Sequence, residues 1–299
     1  MDERIPAYLR AALSRHYGPM AEEIAGGFSS RRPVTLRVNR LKSDPQHVQA
    51  ELKEAGLEWQ PVDWYADALI LSGAQEAQVQ ALPCYQNGEV YLQGLSAMLP
   101  ALAMPLAPGA AVLDMAAAPG GKSCQMAALS GNRILLTACE RDAVRAERLR
   151  FNLRRQGVQR AQVMQTDARQ LDDAFRFDTV LLDAPCTGSG TLLLTEAPRR
   201  MEPAWVERVV RTQTALLRKA LTLLKAGGAM VYATCSILRE ENEEVLRAVL
   251  PAFGATVAPF PAELAAGLPV LPVTLPGCLC VRPTALYEGF FVACVRKPG

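Results

Sequence analysis

Histidine is nearly absent. The sequence holds two, His16 and His47, both early in the chain. A Ser-His-Asp triad or a histidine-based metal site in the main body is thereby excluded, and no metal is expected. Acid–base work there falls to carboxylates, lysine, thiols or water. No run of 18 apolar residues occurs, so no membrane-spanning helix is expected. The opening MDERIPAYLRAALSRHYG is polar and mixed in charge, without the apolar centre of a signal peptide. No charge sign dominates either: the net charge is +2, a weak bulk signal for nucleic acid. Neither the G-x-G-x-x-G of dinucleotide sites nor the spacing of a P-loop is present, which argues against NAD and ATP.

Cysteine is present but unpatterned. The eight cysteines include no C-x-x-C and one C-x-C, with no histidine nearby. Zinc sites and disulfide frameworks are set aside, and reduced thiols in a cytoplasm are expected. Cys84, Cys124, Cys139 and Cys294 read as small buried hydrophobes. Cys278 and Cys280 read as structural or incidental. Cys186 and Cys235 remain, each just past an apolar run, in VLLDAPCTGSG and MVYATCS.

Half of the 299 residues are apolar and 21% are charged, an ordinary globular composition. That length suggests about two domains. In the first, TLRVNRL alternates like a strand, and DPQHVQAELKEAG reads as a helix with an Asp cap and a Gly stop. Short strands are expected near 57–62 and 68–71. The segment around 83–88 marks the boundary, giving a small α+β module over 1–88 and a larger domain over 89–299. From residue 110, strands alternate with helices: AAVLDM, KSCQMAALS, RILLTACE, DAVRAERLRFNLRRQG, AQVMQTD and FDTVLLDAP. A long helix over 202–228, the strand AMVYATCS, the helix REENEEVLRAVL and a last strand GFFVACVRK follow. This alternation means an α/β fold with a doubly wound, Rossmann-like parallel sheet. Residues 255–285 give no clear pattern.

The loop LDMAAAPGGKS follows a strand and opens a helix, where such sheets bind ligands. Ala116, Ala117, Ala118 and Pro119 leave the backbone approachable, and Gly120 and Gly121 permit tight turning. Glu140 ends the second strand and suits ribose hydroxyls; Asp167 ends the third and suits the exocyclic amine of adenine. A nucleoside cofactor without a pyrophosphate is implied, and S-adenosylmethionine fits. The arginines fall into groups: Arg31, Arg32, Arg37 and Arg40 with Lys42; Arg145, Arg148, Arg150, Arg154 and Arg155; and Arg199 with Arg200. Each group is a phosphate grip or a solvated surface on charge alone.

LDMAAAPGGKS, LLDAPCTGSGT and YATCSILREENEEVL, in that order, resemble the RNA cytosine-5 methyltransferases of the NOL1/NOP2/Sun family. TLRVNRLK, YLQGLSAMLP and EGFFVACVRK are similar to that family's pattern too, so the resemblance covers nearly the whole chain. PVDWYADAL resembles the bacterial 16S ribosomal RNA branch, and no C-terminal extension is expected. The residues alone leave open which of Cys186 and Cys235 attacks. A few residues past Cys235, the expected helix REENEEVLRAVL offers an N-terminus that would favour a thiolate. The resemblance makes Cys235 the nucleophile and Cys186 the thiol that assists product release, whereas DNA cytosine methyltransferases attack with the Pro-Cys cysteine. Asp183 is expected to hold the cytosine near the cofactor methyl, or to cap the next turn. Lys122 serves the base pocket or opens its helix. Glu241 and Asn242 match the family's E-E-N signature, or lie on a helix surface.

The expectation is a cytoplasmic, monomeric RNA cytosine-5 methyltransferase acting on ribosomal RNA, with a flipped-out base and a salt-sensitive grip. The alternatives are a tRNA cytosine-5 methyltransferase, a DNA or protein methyltransferase on the same sheet, which the T-C-S cysteine disfavours, and a non-catalytic RNA-binding ribosome assembly factor.

Overall fold

The computed structural model describes residues 1–196 and 200–299; Arg199 of the third arginine group lies outside the described residues. Two sheets order the chain. The first holds β1 (Val34–Val38), β2 (Gln60–Val62), β3 (Tyr65–Leu71) and β4 (Val90–Leu92), in the order β2-β3-β1-β4. Every pair in it is antiparallel. The alternation of TLRV sends Leu36 and Val38 inward, onto Val48 and Leu52 of the helix Pro45–Glu54. Asp44 caps that helix, accepting from the His47 N–H at 2.9 Å. The last strand of this sheet, β4, follows residue 88.

The second sheet holds β5 (Ala111–Asp114), β6 (Leu135–Cys139), β7 (Ala161–Met164), β8 (Phe177–Asp183) and β9 (Leu224–Thr234) as its parallel part. β10 (Thr256–Ala258), β11 (Leu279–Val281) and β12 (Phe290–Arg296) close one side antiparallel, within the stretch that gave no clear pattern and just beyond it. The order β10-β12-β9-β8-β5-β6-β7 reverses at β5. The chain runs outward through β6 and β7, then returns to lay β8 on the other side of β5. A crevice opens at the carboxyl ends of the strands at such a reversal.

The N-terminal helices Ala7–Tyr17 and Ala21–Gly26 pack on the larger sheet. Leu9, Leu13, Ile24 and Phe28 are buried in one cluster with Leu182, Tyr232 and Phe291. Each such side chain contributes about 1.5–3 kcal/mol, enough to hold the segment there.

Two elements differ from expectation. The helix expected over 202–228 runs Pro203–Leu223 and passes straight into β9. Lys297 Nζ donates to the carbonyls of Leu221 and Leu224, both at 2.8 Å, which satisfies the helix end without a glycine stop. The helix expected over 239–250 is a single 3₁₀ turn, Arg239–Glu241, then a break at Asn242 (φ −114°, ψ −99°), then a short helix Glu243–Val249.

Candidate active site

The strand ends assemble the site. β5 ends at Asp114, β8 at Asp183, and Cys235 follows β9 directly. Glu140 and Asp167 follow β6 and β7. Because β8 and β9 are neighbours and parallel, Asp183 pairs in register with Ala233. The loops that leave them start side by side and turn the same way. Cys186 Sγ and Cys235 Sγ stand 3.0 Å apart, both half-buried, both free. Of the six other cysteines, Cys84, Cys124, Cys139 and Cys280 are buried, and Cys278 and Cys294 are half-buried.

Lys122, in the first turn of the helix Gly121–Leu129, donates to Asp183 Oδ2 at 2.7 Å and lies 5.4 Å from the Phe290 ring centre. Burial opposes the ammonium charge, but Asp183, Asp114 and Cys235 outweigh it and raise its pKa. Lys122 is thus a fixed cation within electrostatic reach of Cys235. The helix N-terminus expected beside Cys235 is not there: the next α-helix begins at Glu243, with Glu243 and Glu244 in its first turn.

The loop before Lys122 is shaped by its small residues. Gly120 takes φ +110°, and a Cβ at Gly121 would stand 3.0 Å from the Tyr91 ring. The carbonyls of Ala118 and Pro119 accept from Arg145 at 2.9 Å and Asn152 at 2.8 Å, so the helix Ala143–Arg155 holds the loop from outside.

Two cavities share Ala116. One, of about 220 Å³, is lined by Asp114, Ala117, Ala118, Lys122 and Asp183. The other, of about 100 Å³, is lined by Met115, Glu140, Asp167, Pro185 and Leu216. The donor set suits S-adenosylmethionine. Asp114 is fully buried, its Oδ2 takes the Ser123 hydroxyl at 2.6 Å, and its Oδ1 has no partner, which suits an ammonium. Glu140 is buried and accepts from the Asp142 N–H at 3.0 Å, leaving capacity for hydroxyls. Asp167 is engaged by Arg169, whose hydrogen bond holds its pKa low, and it borders the apolar slot of Met115 and Leu216.

Asp114 was not singled out from the sequence, where a strand-end aspartate is commonplace. Burial pushes its carboxyl from 3.8 up to about 6, against the Ser123 hydrogen bond. An acid raised on folding stabilises the fold in full below its unfolded pKa and loses that contribution as pH rises through the folded one. Asp114→Asn should therefore flatten the stability profile between about pH 4 and 6 and raise stability at neutral pH by roughly 2–3 kcal/mol. Urea unfolding across that range checks this. An unchanged profile in the variant would mean that Asp114 does not titrate there.

Three further residues are placed differently from their sequence reading. Glu241 and Asn242 are neither on a helix nor at the surface; both are buried in the break before Glu243. Arg37, grouped with a basic surface, is fully buried between the two sheets, donating to Gln93 Oε1 at 3.3 Å and to the Gly121 carbonyl at 3.4 Å. It is structural, and no phosphate reaches it.

A doubly wound sheet whose strand-end acids surround an alanine–glycine loop defines a Rossmann-like methyltransferase domain, preceded by a small α+β domain. Within that class, the chain belongs to the 16S rRNA methyltransferase RsmB/F family: the family model matches residues 101–294, and the RsmF/B-like ferredoxin-like domain matches residues 5–78. It is 35% identical over 274 residues to ribosomal RNA small subunit methyltransferase F of Shewanella amazonensis, covering 88% of this chain and 58% of that protein. It is 36% identical over 278 residues to the protein of that name from Vibrio atlanticus, covering 90% and 59%. The chain thus spans somewhat under two thirds of the length of these relatives. Among solved structures, a methyltransferase homolog protein from Pyrococcus horikoshii superposes with a TM-score of 0.83 at 31% identity, covering 96% of this chain and 93% of that one. NSun6 from the same organism shares the fold, with a TM-score of 0.86 at 22% identity and 99% of each chain covered.

Proposed function

We propose that this protein transfers a methyl group from S-adenosylmethionine to C5 of a cytosine in small-subunit ribosomal RNA, through an adduct between Cys235 and C6. The observation that carries this reading is the pair of thiols 3.0 Å apart beside Lys122 and Asp183. S-adenosylmethionine, when bound, supplies an electrophilic methyl. The protein has to make C5 nucleophilic. Addition of the Cys235 thiolate to C6 turns the ring into an enamine, dividing one hard step into easier ones. Asp183, paired to Lys122, accepts from the exocyclic amine of the base, and from N3–H once addition at C6 has protonated N3. Afterwards the C5 proton leaves, Cys235 is eliminated, and Cys186 assists that release.

The RNA path in this proposal is a groove of about 780 Å³ lined by residues of the first sheet and of the helix Ala143–Arg155. Arg31, Arg32, Arg148, Arg155, Tyr85 and Phe151 line it, and Pro119 and Tyr91 are common to it and the cavity at Lys122. Phe151 is 54% exposed, and the Arg155 guanidinium sits 4.3 Å over the Tyr85 ring. Cations beside stacking faces suit a single strand. Arg148→Ala is expected to lower the slope of log affinity against log salt by about 0.7–0.9, and Phe151→Ala to weaken binding by roughly 1–3 kcal/mol with the slope intact. RNA titrations at several salt concentrations check both; unchanged binding in both variants removes the groove from the path.

No helix among the described residues is long and apolar enough to cross a membrane. A monomer working in the cytoplasm is part of the proposal. The test is incubation with labelled S-adenosylmethionine and, separately, small ribosomal subunits, deproteinised 16S RNA and tRNA, followed by nucleoside analysis. Label in 5-methylcytidine from the subunit or its RNA supports the proposal. Label from tRNA alone moves the substrate. Binding of RNA without label in any nucleoside points to a non-catalytic assembly factor.

A further inference from the structure

The two cysteine loops are held together by one buried carboxylate. Glu241 is fully buried. Its Oε2 accepts from the Thr187 N–H at 2.8 Å and from Gln213 Nε2 at 3.1 Å. Its Oε1 accepts from the Thr187 hydroxyl at 2.5 Å and the Ser236 hydroxyl at 2.7 Å. Thr187 follows Cys186, and Ser236 follows Cys235. The residue after each thiol is thus tied to the same side chain. Gln213 also donates to the Pro185 carbonyl at 3.0 Å, so the long helix Pro203–Leu223 braces the Cys186 loop from its other side.

The break at Asn242 makes this possible. The Asn242 side chain takes the Thr234 hydroxyl at 2.6 Å and donates to the Ser236 carbonyl at 2.9 Å. The Tyr232 hydroxyl donates to the Glu241 carbonyl at 2.6 Å. These bonds turn the chain so that Glu241 reaches both cysteine loops. Burial raises the Glu241 pKa and its hydrogen bonds to Thr187, Ser236 and Gln213 oppose that rise; two of the four partners are N–H groups, which can only donate, and an ionised carboxylate accepts from all four.

We infer that Glu241 is the positioning residue that holds the two thiols in contact and, by its charge beside the Cys186 loop, to which it makes two of its four bonds, assigns them different roles. The inference deepens the reading above, in which both thiols serve one reaction. Cys186 is pushed well above the ordinary thiol range, first by its bond to Cys235, then by burial and by the charges of Cys235 and Glu241. Cys186 keeps its proton, and Cys235 is left as the thiol that attacks. A cysteine in the Pro-Cys loop is disfavoured as the nucleophile because the residue after it is bonded twice to a carboxylate.

The test reads the thiols and needs neither RNA nor cofactor, so it fails or succeeds apart from the proposed reaction. Wild type, Glu241→Gln and Ser236→Ala are treated with iodoacetamide at neutral pH, and modification of each cysteine is followed by peptide mass spectrometry. Wild type should modify Cys235 first. Glu241→Gln keeps the shape and removes the charge, so the ratio of Cys235 to Cys186 rates should fall by about tenfold or more. Ser236→Ala frees the Cys235 loop from the carboxylate, and the ratio should fall by at least about threefold, the smaller effect because the charge remains. Restoration of the wild-type ratio in Glu241→Asp, to within about threefold, would show that the charge acts from that place. A folded Glu241→Gln protein with the wild-type ratio overturns the inference. If that variant does not fold, a folded Ser236→Ala protein with the wild-type ratio overturns it instead.

Discussion

Cys235→Ala should lose methyl transfer by roughly 10³–10⁶-fold, the range seen when a nucleophile is removed from a covalent mechanism. Cys186→Ala should behave differently: it should attack once, stall, and accumulate protein joined to RNA, visible as a slow band on a denaturing gel. The asymmetry follows from the environments of the two sulfurs. Cys235 lies within reach of the Lys122 cation, itself fixed by Asp183 at 2.7 Å. Thr187, the residue after Cys186, is bonded to the Glu241 carboxylate at 2.5 Å and 2.8 Å. A negative charge nearby suppresses a thiolate, and Cys186 is pushed well above the ordinary thiol range. Labelled methyl transfer and the gel, run on both variants, decide the assignment. An active Cys235→Ala protein beside an inactive, adduct-free Cys186→Ala protein would reverse the two roles.

Gly190→Ala should be nearly as damaging, for a steric reason. A Cβ there would stand 2.0 Å from the Gly289 carbonyl oxygen and 2.5 Å from its carbon, both backbone atoms with no rotamer to yield. The two glycines bind each other closely: the Gly289 N–H donates to the Gly190 carbonyl at 2.8 Å, and the Gly190 N–H donates to the Cys235 carbonyl at 3.0 Å. Gly190 therefore locks the Cys186 loop to the lead-in of β12 and to the backbone of Cys235. The variant is expected to lose about 2–4 kcal/mol of stability and most of its activity, since one methyl group forces the loop off both contacts. Gly26→Ala is the control: nothing lies within 4 Å of a Cβ there. Urea midpoints and methyl transfer for both variants test the argument; wild-type values for Gly190→Ala would show that the close approach is not needed.

The final glycines of CTGSG are thus readable from the sequence as small residues in a loop, but the partner that requires one of them, Gly289, is almost a hundred residues away. Much of the rest follows this division. The alternating pattern after residue 110 is local, and β5 to β9 with their helices form close to where it predicts them. The caps Asp44 and Asp142 are local as well, each accepting from the N–H three residues on. Lys122, Asp183, Cys186 and Cys235 stand out because each follows an apolar run or a glycine pair, and the structure gathers all four at one end of the sheet.

What the sequence determined by itself is the class of fold and the identity of those strand-end groups, because hydrophobic periodicity and turn chemistry act over a few residues. The tertiary structure decided which groups share a field. REENEE reads as a charged helix face until the break at Asn242 turns Glu241 inward, and that turn rests on bonds to Thr234 and Ser236 across a loop. Asp114 becomes a raised acid through burial at the sheet's centre, and Arg37 leaves the basic surface because the two sheets close over it. Burial and charge depend on every element packed around a group, and no local pattern encodes that sum.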